Sequence, residues 1–236
     1  MSLQKMTLTA LLFVALGSVA LAAEGAAPKP YIFFVQQDLR PVADTFDFAG
    51  GFSALMKSLP PDRPVRFFSF DSNGYQELLS AKAADVAAPP PAYAMTMASN
   101  LSAPYKILLK FLQEKVISDV TVYLVSNGNS KDLLPYADIP NPKTLKSGGG
   151  SDSSTDFLPT VSAPILRDVK EYCKKNRVRL VGFLVQKDAP TSGSHPLAIY
   201  RLAFVSTVSD TKGGKAFTDF MNFGKVFQSA LKKYFQ

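Results

Sequence analysis

The chain has 236 residues and a formal net charge of +7 at pH 7, and it contains one cysteine and one histidine. A single cysteine excludes an internal disulfide, and one cysteine with one histidine is too few for a zinc site built from those residues. The basic residues are spread along the chain without the basic and aromatic interleaving typical of a nucleic-acid surface. We therefore expect no nucleic-acid partner.

The first 23 residues, MSLQKMTLTALLFVALGSVALAA, have the pattern of a secretory signal peptide. Lys5 precedes an apolar run from Leu8, and Ala20-Leu21-Ala22 has the Ala-x-Ala arrangement after which signal peptidase cuts. An uncleaved membrane anchor is the alternative, because the run approaches the roughly 20 residues that span a bilayer. No basic stop-transfer segment follows, which favours cleavage. We expect residues 24–236 to form one periplasmic or secreted domain, without stable membrane insertion.

Short apolar runs alternate with helical patterns along the mature chain, which predicts an α/β domain. Runs such as VTVYLV and LVGFLV lack polar alternation, as expected of strands buried on both faces of a mostly parallel sheet. Right-handed crossovers place helices on both faces of such a sheet, giving a three-layer Rossmann-like sandwich. The predicted strands are Tyr31–Val35, Val65–Phe70, Val120–Val125, Leu180–Val185 and Ala198–Val205.

Three apolar stripes at helical spacing predict helices, within Tyr105–Val116, Ile165–Cys173 and Phe223–Tyr234. Cys173 falls on the apolar side of the second stripe, where we expect it to pack as a small hydrophobic residue. The stretch 127–159 contains SGGGSDSSTD and LLPYADIP but no convincing element, which predicts a long loop. Its LLPYADIP part is expected to dock on a partner or on the domain itself.

Ligands of open α/β sheets bind beyond the carboxyl ends of the parallel strands, so polar residues just after each strand are candidates for a site. Two further polar residues precede the predicted helix near Ser102 and are expected to cap it or to face the same cleft. The candidate partner-binding or ligand-binding residues are Gln36, Asp38, Arg40, Asp71, Ser99, Asn100 and Asn127.

Four segments, in this order, resemble a von Willebrand factor A-type domain. They are YIFFVQQDLRP, SNLSAPYKILLKFL, VTVYLVSNGNSKD and GGKAFTDFMNFGKVFQSALKKYF, and they extend over essentially the whole mature chain. The resemblance implies the same three-layer α/β fold and a protein-binding module. The last segment corresponds to the closing strand and helix of such a domain.

The metal-ion-dependent adhesion site of that family resembles Asp-x-Ser-x-Ser after the first strand, a Thr in the second loop and an Asp after the third strand. The resemblance places Gln36 at the first Asp, Asp38 and Arg40 at the two serines, Ser99 near the Thr and Asn127 at the second Asp. Hard divalent cations need carboxylate oxygens, so amides at both acid positions predict no metal and no cofactor. Arg40 either fills the place of the ion, paired with Asp38 or Asp71, or points to solvent.

Motifs of catalysis are absent from the sequence. It has no G-x-S-x-G elbow, no G-x-G-x-x-G and no phosphate loop, and His195 lies in the Gly-, Ser- and Pro-containing stretch DAPTSGSHPLA. We expect a non-catalytic accessory or assembly component of a cell-envelope machine, which contacts another envelope protein through the strand-end loops and the 127–159 loop. A binding protein for a small polar ligand in the same cleft is the alternative, and a hydrolase comes third.

Overall fold

A computed structural model of the chain describes residues 28–37, 48–88, 103–138, 160–185 and 196–218. The strands in these ranges are β1 (Tyr31–Gln36), β2 (Pro64–Asp71), β3 (Gly74–Lys82), β4 (Thr121–Ser126), β5 (Ala137–Asp138), β6 (Thr160–Val161), β7 (Arg179–Leu184) and β8 (Lys215–Phe217). The helices are α1 (Phe48–Ser58), α2 (Pro104–Glu114), α3 (Pro164–Lys175) and α4 (Pro196–Ser209), with short 3-10 helices at Ala83–Asp85 and Lys131–Tyr136.

Six of these strands form one sheet in the order β3-β2-β1-β4-β7-β8, and β5 pairs with β6 apart from it. All neighbours in the large sheet are parallel except β3, which is antiparallel to β2. The first four predicted strands are confirmed, each to within one residue at either end. Strand β3 was not predicted from the sequence, because its pattern GYQELLSAK has neither a continuous apolar run nor a strict alternation, and none of its residues is fully buried at this edge of the sheet.

Strand β1 lies at the centre of the sheet and packs on both of its faces. Phe34 points to one face, where its ring stacks on Phe111 of α2 with the centroids 4.4 Å apart. Phe33 points to the other face and meets Phe52 of α1 edge to face at 5.3 Å. Helices therefore cover both faces, and the predicted three-layer α/β architecture is confirmed.

The prediction of a strand at Ala198–Val205 is wrong, since these residues lie within helix α4. A short apolar run does not by itself distinguish a buried strand from a buried helix. The buried residues repeat at helical spacing: Ile199, Tyr200, Ala203, Phe204, Thr207 and Val208. Gly182 of β7 lets the helix lie close to the sheet, because a Cβ at that position would come within 2.7 Å of Phe204 and Val208.

Helix α2 ends at Glu114 and is closed by a Schellman motif, so the predicted stripe extends two residues too far. The Ile117 amide donates to the Leu112 carbonyl at 2.9 Å, and the Val116 amide donates to the Gln113 carbonyl at 3.1 Å. Val116 has φ of 49° at the position that glycine usually occupies, and it is 76% exposed. Its side chain therefore contributes little to the core.

Some of the remaining predictions for helices and loops fall within the residues that the structure describes, and others fall outside them. Cys173 of α3 is 1% exposed, as predicted, and burial raises the pKa of its thiol to about 12. The closing helix predicted at Phe223–Tyr234 and residues 139–159 lie outside the described residues. Within the ranges that the structure describes, no helix combines the length and apolar character needed to cross a bilayer.

Candidate functional site

Gln36, the last residue of β1, joins two strands at the carboxyl edge of the sheet. Its Oε1 accepts hydrogen bonds from the Ser126 hydroxyl at 2.6 Å and from the Asn127 amide at 3.0 Å. The side chain is 0% exposed. Gln36 and Asn127 therefore lie side by side, as their positions after neighbouring parallel strands imply. With its buried side chain, Gln36 fastens β4 to β1. That Gln36 contacts a partner stays a prediction.

The turn after β4 is tightly folded by local hydrogen bonds. The Asn127 Oδ1 accepts from the Asn129 amide at 2.9 Å, and the Ser126 hydroxyl oxygen accepts from the Gly128 amide at 3.0 Å. Gly128 has φ of +71° and stands where a Cβ would come within 2.7 Å of Leu184. Asn127 therefore shapes the start of this loop while remaining half-buried at its surface.

Asp71, the last residue of β2, organises the hairpin that leads to β3. Its Oδ1 accepts from the amides of Asn73 at 2.7 Å and Gly74 at 3.3 Å. This turn, in which a side chain accepts from two backbone amides, gives the acid at the end of β2 a structural role that does not involve a cation. Arg40, which we proposed as a partner of Asp71, lies outside the described residues. The same is true of the candidates Asp38, Ser99 and Asn100.

An open cleft of about 240 Å³ lies beside β2 at the same edge of the sheet. Gln37, rather than Gln36, lines it, and the Gln37 amide nitrogen donates to the Ser69 hydroxyl at 3.0 Å. The polar residues that line the cleft are Gln37, Ser69, Asp71, Asn73 and Gln76. Sequence reasoning missed Ser69, although it is the one neutral polar residue in the strand PVRFFSFD. It also missed Gln76, because strand β3 was not predicted.

The described start of the predicted 127–159 loop contains structure. The 3-10 helix Lys131–Tyr136 follows the turn, and Ala137–Asp138 pairs with Thr160–Val161. Leu133 is 0% exposed, so the segment docks on the domain, as the sequence allowed. In contrast, Leu134 is 38% exposed and Tyr136 is 46% exposed. A fixed backbone thus presents two large apolar side chains to solvent.

Three buried polar atoms near this segment have no hydrogen-bond partner among the described residues: Tyr105 Oη, Asn129 Oδ1 and Asp132 Oδ2. The other Asp132 oxygen accepts from the Ser130 hydroxyl at 2.6 Å. Burial raises the pKa of Tyr105 well above its ordinary value, and the nearby Asp132 carboxylate raises it further. Unpaired buried polar atoms are costly, so this end of β4 is a position where further hydrogen bonds would stabilise the protein.

The part of the chain that the structure describes contains no group of three or more His, Cys, Asp or Glu residues placed to hold a metal ion. Two positions of the adhesion-site pattern can be located there. Gln36 and Asn127 meet through a hydrogen bond between protein groups, at the place where the family pattern has two acids. Asp38, Arg40 and Ser99 lie outside the described ranges. The expectation of a metal-free site therefore stays a prediction.

Comparison with known proteins identifies the fold through structure alone. No family model matches the sequence, and no curated protein does either. The vWF domain of the type V pili tip protein Mfa5 from Porphyromonas gingivalis superposes with a TM-score of 0.50, at 9% identity, covering 88% of this chain and 95% of that chain.

Two further solved structures have slightly lower TM-scores. The conserved hypothetical protein BatB from Bacteroides thetaiotaomicron gives 0.48 at 8% identity, covering 86% of this chain and 97% of that one. An aerotolerance-related membrane protein from Bacteroides fragilis gives 0.48 at 6% identity, covering 86% and 98%. Sequence identities this low support a conclusion about the fold alone. The fold assignment rests on the Mfa5 domain together with the order of the strands. The chain has a von Willebrand factor A-type fold.

Proposed function

We propose that this chain is a non-catalytic protein-binding module that works outside the cytoplasm as an accessory or assembly component of a cell-envelope machine. Its partner is another envelope protein, bound at the carboxyl edge of the sheet. The signal-like sequence at residues 1–23 supports the compartment. The Mfa5 domain, which has the same fold and comes from a pilus tip protein, supports this class of function by analogy.

The observation that carries the proposal is the pair Leu134 and Tyr136. They are two of the three large hydrophobic residues that are exposed within the described ranges, and they lie in one segment. Leu133 anchors this segment in the core, while the Tyr136 carbonyl accepts from the Ser162 amide at 3.2 Å. Aromatic and apolar side chains held rigidly at the surface lose little entropy on binding, which is why such residues dominate protein interfaces.

Polar groups at the same edge of the sheet would provide the rim that a protein interface needs. Asn127 and Asn129 are half-buried in the turn that leads to the segment. Asp71 and Asn73 stand at the end of β2, along the same edge of the sheet. Amide and carboxylate groups at the same edge as the apolar pair favour a partner that combines an apolar contact with hydrogen-bond donors.

Crosslinking and pull-down of the mature chain from its native envelope tests this proposal. The variant Leu134→Ser/Tyr136→Ser should lose the captured envelope protein and still show a cooperative melting transition, because both side chains are partly exposed. Val116→Asn is the matched control, since it removes an exposed apolar side chain from the far end of α2. Equal capture of the same protein by both variants would contradict the proposal.

The cleft beside β2 favours a second candidate function, the binding of a small polar ligand. Its volume of about 240 Å³ is that of a small site, and Gln37, Asn73 and Gln76 supply both donors and acceptors. A receptor of this kind should melt at a higher temperature with its ligand present at concentrations far above Kd. Gln76→Ala should reduce that shift, and a partner-binding module should show no shift with any metabolite of a screened set.

A further inference from the structure

A second cleft, of about 770 Å³, lies at the opposite, amino edge of the sheet. It is independent of the edge proposed to bind a partner. Its charged lining residues are Lys29, Arg63, Asp119, Arg177, Arg179 and Lys212. Five cations and one carboxylate thus share a single concave surface, although they come from five separate parts of the sequence.

The single carboxylate in this cleft is already engaged. Asp119 accepts a hydrogen bond from the Lys29 ammonium, and its other oxygen lies 3.6 Å from the Arg177 Nε. The hydrogen bond from Lys29 is the main reason that the pKa of Asp119 is lowered. Within the described ranges, Arg63, Arg179 and Lys212 form no ion pair with an acid. Their charge is therefore not balanced by any described acid.

Arg63 is held in place without having all of its donors used. Its guanidinium lies over the Tyr31 ring, 4.9 Å from the centroid, and its Nη1 donates to the Lys29 carbonyl at 3.4 Å. The Arg63 Nε is buried and has no partner among the described residues. A guanidinium that is held in place and has no acid partner among the described residues can donate its remaining accessible N–H groups to an oxyanion.

Arg179 is also positioned by its surroundings. Gly213 has φ of +74°, which other residues rarely adopt, and its backbone lies against the Arg179 guanidinium, where a Cβ would come within 3.1 Å of the Arg179 Nε. Arg179 is the first residue of β7, and its amide donates to the Val120 carbonyl at 3.0 Å. The fold therefore sets the backbone on both sides of this guanidinium.

Arg177 is placed by a second Schellman motif, at the end of α3. The Val178 amide donates to the Cys173 carbonyl at 2.9 Å, and Arg177 has φ of 54°. Asp119 also has a positive φ, of 55°, and its amide donates to the Asn176 carbonyl at 2.7 Å. Unusual backbone conformations thus fix two of the charged residues that line the cleft.

We propose that the amino-edge cleft binds the phosphate group of a soluble or lipid ligand. Cations gathered in one concavity repel each other, and a bound anion relieves this repulsion. A single carboxylate would leave most of the excess positive charge in place. A phosphate monoester carries about −1.5 to −2 near pH 7, and its oxygens accept hydrogen bonds from several arginines and lysines at once.

Calorimetric titration of the folded protein with pyrophosphate, at fixed ionic strength, tests the soluble form of the ligand. Flotation with phosphatidylglycerol vesicles, compared with phosphatidylcholine vesicles, tests the lipid form. Amide resonances of Arg63, Arg179 and Gly213 in the unmutated protein should shift with the bound probe. This measurement keeps the test valid even if a variant folds poorly.

The informative variant is Arg179→Gln/Lys212→Gln, and the matched control is Arg167→Gln/Lys106→Gln, which removes the same charge from exposed positions on α3 and α2. We expect the first variant to bind pyrophosphate, or to float with anionic vesicles, about tenfold more weakly, and the control to behave like the unmutated protein. Equal weakening in both variants would show general charge attraction and overturn the proposal. The proposal would also be overturned if the protein bound neither pyrophosphate nor phosphatidylglycerol vesicles. Binding to polyglutamate, an anion without phosphate, and to neither of those probes would have the same meaning.

Discussion

Replacing Gln36 with leucine removes the acceptor that joins β1 to the start of the loop after β4. Two donors lose this acceptor, the buried Ser126 hydroxyl and the Asn127 amide. A buried donor left unpaired costs about 1–3 kcal/mol, and the added apolar burial of leucine returns part of that. We expect the free energy of unfolding to fall by about 2–3 kcal/mol.

Urea denaturation measures this loss directly. With a slope of about 2 kcal/mol per molar urea, the midpoint of Gln36→Leu should fall by about 1 M. Gln37→Leu is the matched control, because Gln37 is half-exposed and its side chain donates one hydrogen bond, to Ser69. We expect this control to lose about 1 kcal/mol or less. A midpoint for Gln36→Leu no lower than that of Gln37→Leu would refute the view that Gln36 fastens this edge of the sheet.

Three further substitutions test other features of the fold. Val116→Gly should stabilise the protein by about 0.5–1 kcal/mol in urea denaturation, since glycine relieves the left-handed backbone at this helix end; an unchanged midpoint would contradict the strain. Gly182→Ala should lower stability by about 1–3 kcal/mol in thermal unfolding, because its methyl group collides with Phe204; full stability would mean that α4 lies farther from the sheet. Arg66→Met should cost about 1 kcal/mol at pH 7. The hydrogen bond from Arg66 lowers the pKa of Glu77 below 4.5, so the pair stabilises the protein above that pH and the stabilisation is lost as pH falls through the lowered pKa. The difference from the unmutated protein should therefore shrink as the pH falls from 7 to below the lowered pKa of Glu77, and an equal difference at both ends of this pH range would contradict this.

The central strands were predictable because their burial on both faces leaves a sequence without polar alternation. Helix α4 has the same property, since it is apolar on most sides, and its part Ala198–Val205 was therefore interpreted as a strand. Strand β3 carries Gln76 and Glu77 toward solvent, so that neither a continuous apolar run nor a clear alternation indicates it. In both cases tertiary packing determines whether the segment is a helix or a strand, and the local sequence pattern does not contain that information.

The two edges of the sheet differ in how far the sequence could predict them. The meeting of Gln36 and Asn127 follows from strand order alone, because Gln36 ends β1 and Asn127 directly follows the neighbouring parallel strand β4. That Gln36 turns inward and Gln37 toward the open cleft depends on the side-chain alternation of β1. The cationic cleft was not predictable, since Arg63, Arg179 and Lys212 lie far apart along the chain and only the folded topology brings them together.

The short pairing of β5 with β6 has a consequence for how this protein can change. Asp138 and Thr160 are paired residues, so the two ends of the segment between them are held next to each other. Doubling the length of a segment whose ends are joined in this way costs only about 0.6 kcal/mol in loop-closure entropy. Natural variation and engineered fusions can therefore insert residues between β5 and β6 while the six-stranded sheet keeps its register.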